Sequence, residues 1–200
     1  MSKTLIGMAL ATAGLLTCAA ATDGARASTF IVNIDQVGPN VVVTGSGSID
    51  LTGLTFDLPQ SGKVGFVLPG SGILLIGPGP ATTGSIDVYT GVSVPASFGT
   101  GGATNGSSGT GNLVGVDGGG FLAVPAGYMS GNPLSDTMTF DGATFASLGL
   151  TPGTYTSTWD TTDSFVINIV PLPAALPLFA TGIGGLGLLG WRRKRKAQAG

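Results

Sequence analysis

The chain has 200 residues, is 42% hydrophobic and only 9% charged, holds 36 glycines, and carries a formal net charge of −2. It has no histidine and one cysteine, Cys18, which excludes a disulfide, a thiolate metal centre and a Ser-His-Asp triad. Charge is segregated: between residues 28 and 169 nine aspartates face the single base Lys63, a balance of −8, while five bases sit near the C-terminus. An acidic body repels nucleic acid and anionic lipid, so a nucleic-acid partner is disfavoured.

Residues 1–27 read as a signal peptide. Lys3 supplies a charged start, an apolar core runs from Leu5 to about Ala21, and Ala25-Arg26-Ala27 is a small-x-small cleavage site ahead of Ser28. Two readings compete with it. Lipidation at Cys18 would put Thr17 where such sites want a small residue, and an uncleaved anchor would need a longer apolar core.

From Ser28 onward the pattern is period two in short runs. Strands are predicted over residues 29–34, 41–44 and 48–52, with Gly38-Pro39-Asn40 as the first turn. Further strands follow over residues 63–68, 72–76 and 85–89, the first two divided by Pro69-Gly70. Turn signals every eight to twelve residues, with no ten-residue helical period and no Glu, point to an all-β fold, a single β-sandwich or jelly-roll-like domain over residues 28–169. The Gly/Ser/Thr-rich stretch at about 98–120 reads as a flexible loop that buries little. Strands resume over residues 121–124 and 137–140, Asp141-Gly142 marks a turn, and residues 144–148 allow one helical turn. Pro152-Gly153 has the composition of a type II turn feeding strands over residues 155–159 and 164–169.

Sites for chemistry are few. Asp136 with Asp141, or Asp160 with Asp163, could serve as paired carboxylates or calcium ligands, but no calcium-loop spacing is present and solvated turn residues are the simpler account. No catalytic residue, metal site or cofactor is therefore assigned. Tyr155 and Trp159 alternate onto one strand face and are a candidate glycan contact, with core packing as the competing role. A G-x-G-x-x-G fingerprint at Gly182, Gly184 and Gly187 lies inside an apolar run without the strand and acid that dinucleotide binding needs, and is rejected.

The C-terminal segment, residues 170–196, has three parts. Val170, Pro171, Leu172, Pro173 and Ala174 form a proline-bearing motif directly after the last predicted strand. Residues 175–191 follow; these 17 residues span about 26 Å as a helix, slightly short of a hydrocarbon core of about 30 Å. Trp191 suits the interface, and Arg192, Arg193, Lys194, Arg195 and Lys196 are a cytoplasmic stop that leaves the acidic domain outside. A plain single-pass anchor would also carry these features.

The order of motif, Gly/Leu-rich span and terminal basic cluster resembles the PEP-CTERM class of sorting signals in its VPLPA variant, with Leu172 where the main type has Glu. The resemblance covers the tail alone. It implies recognition by an exosortase, a membrane-embedded cysteine protease or transpeptidase that processes the tail near the motif. It also implies an exported protein that is a membrane intermediate first and then reaches the cell envelope, surface or surroundings. Such systems accompany extracellular polysaccharide. The role expected for the domain is structural or adhesive, not enzymatic, with a carbohydrate-binding module as the runner-up and an Asp-pair hydrolase third.

Overall fold

Alternation of apolar and polar residues decides the architecture. In β1 (Thr29–Val37) Phe30, Val32 and Ile34 are buried while Thr29 and Ile31 face out; in β13 (Asp163–Val170) Phe165, Ile167 and Ile169 do the same. One face of each strand must therefore find a partner layer. The computed structural model describes residues 28–171 and supplies that layer as a second sheet. The predicted leader 1–27 with Ala25 and Ala27, the motif residues Leu172, Pro173 and Ala174, the span 175–191 and the basic end from Arg192 to Lys196 lie outside the described residues.

The fold is all-β with two sheets. Sheet one runs in the order β12 (Gly153–Trp159), β13, β1, β2 (Asn40–Ser48), β11 (Pro133–Phe140), β8 (Ser108–Thr110). Sheet two runs β3 (Thr55–Lys63), β6 (Gly84–Thr90), β10 (Phe121–Pro125), β9 (Val114–Asp117), β5 (Ile73–Ile76), β4 (Phe66–Leu68), β7 (Thr104–Asn105). One buried cluster draws on both, with Phe30, Val43, Met138 and Ile167 from sheet one meeting Val67, Ile76, Val114 and Leu122 from sheet two. β1 and β13 pair in parallel with Phe30 opposite Phe165, and their rings stack at 5.2 Å. Gly45 on β2 makes room for this pair: a Cβ there would lie 2.8 Å from the Phe30 ring. The β1–β2 hairpin turns through Gly38 at φ 59° and Pro39, as a two-residue loop requires. The single α-helical turn among the described residues, α1 (Phe145–Leu148), has a reciprocal Thr144–Ser147 capping box and a left-handed Gly149 after it.

Several sequence expectations need correction. The segment 98–120 is not a loose loop. It carries β7, β8 and β9, buries Phe98, Leu113, Val114 and Val116, and passes from the β4 edge of sheet two to the β11 edge of sheet one. Its glycines are there for close approach. Buried Gly106, at the crossing, has Met138 Cγ 2.5 Å from where a Cβ would be, and at Gly109 the carbonyls of Gly77 and Thr137 occupy that space. The strand predicted over 48–52 is a turn: Ser48 ends β2, and Asp50 accepts from the Thr52 N–H at 2.9 Å. Its alternation reflects anchoring, with Ile49 buried and the Asp50 carbonyl accepting from the Trp159 indole. Residues 63–68 do not make one strand: Lys63 ends β3, which sequence reading missed because of Pro59, and β4 starts at Phe66. Pro152-Gly153 is not a tight turn either, since Gly153 already pairs with Ile169 in β12.

Candidate functional site

The outward side of sheet two carries apolar residues that the core does not use. Pairing register lines up Leu58, Val88, Ala123, Gly115, Leu75 and Phe66 across six strands, from β3 to β4. Large side chains stand at both ends of this row and small ones in the middle. The outer face therefore sinks into a trough of about 350 Å³ along β9 and β10. Gly115 cannot be enlarged: a Cβ would strike the Leu74 carbonyl on the neighbouring strand.

The edge strand β3 forms one wall. Its register slips between Phe56 and Leu58, so the extra residue Asp57 turns Leu58 onto the trough side beside Val88 while Phe56 sits edge-on to Tyr89 at 5.6 Å. Phe56 and Leu58 stay 51% and 40% exposed, a large apolar allowance for an edge strand. Polar groups come from Asp57, Gln60 and Lys63 on the same wall and from Asp117 at the end beyond Phe121. Lys63 is the one cation among the described residues. The Asp117 carboxylate accepts the Gly119 N–H at 2.8 Å, which holds its turn. A second buried cluster, Leu75, Ile86, Val88 and Leu113 with Phe66, Phe121 and Ala123 against it, makes the floor firm. An apolar floor with a sparse polar rim is a surface suited to contact with a ligand.

The residues singled out from sequence are distributed differently. Tyr155 and Trp159 do share a face, but it is the inner one. Trp159 is 2% exposed and donates its indole N–H to the Asp50 carbonyl at 2.8 Å; Tyr155 packs edge-on to Phe98 at 5.9 Å and donates its hydroxyl to the Thr151 carbonyl. Trp159 therefore offers no ring face to a sugar, and Tyr155 is half-buried. The aspartate pairs are split by burial. Asp136 is buried and Asp141 exposed, and Asp163 is buried and Asp160 exposed in a turn at φ 50°. Among the described residues no three His, Cys, Asp or Glu side chains converge as metal ligands.

Asp136 is the outlier. It is 1% exposed on the inner face of β11, one carboxylate oxygen accepts the Asn112 N–H at 2.6 Å, and the other has no partner among the described residues. Burial pushes its carboxyl up to about 6, against the opposing pull of the Asn112 hydrogen bond. This is a core group carrying a polar cost, remote in role from the trough, which it does not line.

The trough was missed at the sequence level, though a signal existed. Ile73-Leu74-Leu75-Ile76 and Phe121-Leu122-Ala123-Val124 are apolar at consecutive positions, so both faces of those strands are hydrophobic. Only one of the two faces is covered by sheet one. No family model, curated protein or solved structure matches the chain.

Proposed function

We propose that this protein is an exported, non-catalytic module of the cell surface or extracellular matrix, structural or adhesive in role, delivered by an exosortase-type enzyme through its C-terminal tail. The domain is read as one β-sandwich; the parallel β1–β13 pair departs from the all-antiparallel jelly roll. The observation that carries the sorting reading is the junction. β13 ends at Val170, the first motif residue, which is 46% exposed and followed by exposed Pro171. Val170 and Pro171, the two motif residues the structure describes, are both exposed, which supports access by a processing enzyme. Replacing Pro171 and Pro173 by Ala in a host carrying the sorting enzyme should leave the tail uncut and the protein in the membrane fraction. Unchanged size and location would remove the sorting reading.

A second reading, a carbohydrate-binding module, is favoured by the trough. Phe66 and Phe121 are partly exposed beside Gln60, Lys63 and Asp117, the combination of apolar contact and hydrogen bonding that a polysaccharide chain requires. Exopolysaccharide pull-down by the purified protein, lost on Phe121→Ser with the fold intact, would support this reading; retention by the variant would reject the trough as the site.

A further inference from the structure

Ser28 is the residue on which the first strand is hung. Its backbone N–H donates to Asp163 Oδ1 at 2.7 Å and its hydroxyl donates to the same oxygen at 2.9 Å. That hydroxyl also accepts the Asp50 N–H at 2.8 Å, and the Ser28 carbonyl accepts the Ser164 N–H at 3.0 Å. Ser28 and Asp163 are 6% and 4% exposed. Among the described residues Asp163 is thus a buried acid given only a backbone amide and a hydroxyl, while the one cation there, Lys63, lines the trough on the other sheet. A buried carboxylate without a counter-charge is costly, and 2.7 Å is the length of a charge-assisted bond.

We propose that the counter-charge is made by maturation: removal of the leader before Ser28 converts its nitrogen into a buried α-ammonium paired with Asp163. This rests on reading residues 1–27 as a cleaved leader. Water adds across the Ala27–Ser28 amide, the C–N bond breaks, Ala27 leaves as a carboxylate, and the Ser28 amine takes up the proton. The nitrogen needs no movement to form the pair, because it already lies against Asp163 as an amide. The cut changes its charge where β1 meets β13 and tightens the joint between the first and last strands only in the mature chain.

The full chain expressed with its leader in a secreting host provides the test. Intact mass should give Ser28 as the first residue; a different start would reject the cleavage reading and the pair with it. A Gly-Gly insertion after Ala27 moves the ammonium two residues away while keeping the Ser28 amide. Its thermal midpoint should fall by roughly 5–10 °C. With Asp163→Asn in place the same insertion should cost little. Two results would overturn the pairing and leave the leader reading intact. One is a mature chain that starts at Ser28 but loses nothing on insertion; the other is an equal loss with and without Asp163→Asn. Should Asp163→Asn not accumulate, periodate decides. It cleaves an accessible N-terminal serine, so the folded mature protein should react at least about tenfold more slowly than the denatured one; equal rates would overturn the proposal.

Discussion

The two sheets turn opposite kinds of surface to the outside. Sheet one presents mainly hydroxyls and amides tied across strands, with Ile31 41% exposed among them: Thr154 donates to Asn168 at 3.0 Å, Asn168 donates to Asn33 at 3.1 Å, and Thr110 meets Thr137 at 2.8 Å. Sheet two presents Leu58, Val88, Leu75, Phe66 and Phe121 around a depression. Both sheets bury their inner faces in the same core, and the outer side of sheet two adds a smaller buried cluster of Leu75, Ile86, Val88 and Leu113. What remains open on sheet two is Leu58 with the partly exposed Phe66 and Phe121, gathered around a depression that sheet one does not offer among its cross-strand polar pairs. That depression places the candidate site on sheet two.

The strongest test of the comparison removes an inner residue that the sequence offers as a glycan contact. Trp159→Ala should lower the unfolding free energy by about 3–5 kcal/mol, read by urea denaturation, because a buried indole and its bond to Asp50 are lost. A loss under about 1 kcal/mol would put Trp159 back among surface residues.

Asp136 gives the next largest effect. Its carboxyl sits at about 6 in the fold against 3.8 ordinarily, so the folded state holds the proton more tightly. The contribution of Asp136 to stability should be greatest below about pH 4 and fall as pH rises through 6, by at most about 3 kcal/mol. Asp136→Asn should flatten this dependence and stabilise the protein at neutral pH; urea midpoints at the two ends of the window decide it.

Smaller still are the changes on the outer faces. On the carbohydrate-binding reading, Ala123→Leu should fill the trough and weaken polysaccharide binding about tenfold, with less than about 1.5 kcal/mol change in stability. Thr156→Ala on the outer face of sheet one should leave stability within about 0.5 kcal/mol and binding unchanged. Binding lost with Thr156→Ala and kept with Ala123→Leu would reverse the assignment of faces.

What the sequence disclosed follows from which physics is local. Strands with one wet face, such as β1 and β13, declare themselves by alternation, and α1 by its Thr144–Ser147 cap. β3 did not, because an edge strand with Pro59 and a register slip has no steady period. Residues 98–120 were hidden for the opposite reason. Glycine there permits close packing against Met138 and the strand carbonyls, yet composition alone cannot separate that from flexibility. The trough is a property of register across six strands, each contributing one or two residues, and no window of sequence contains it. Aspartate burial is equally non-local: Asp163 differs from Asp160 through Ser28, which is 135 positions away along the chain.

The parallel pairing of β1 with β13 also governs how the domain carries load. Seven residue pairs, from Thr29 opposite Ser164 to Asp35 opposite Val170, join the first strand to the last. The chain enters at one end of this ladder and leaves at the other, so a pull between its two ends acts along the strands. The rungs are then strained together in shear instead of parting one at a time, which raises the force needed to start unfolding. A domain held by its tail and tugged from its far end would meet that pull along its stiffest direction.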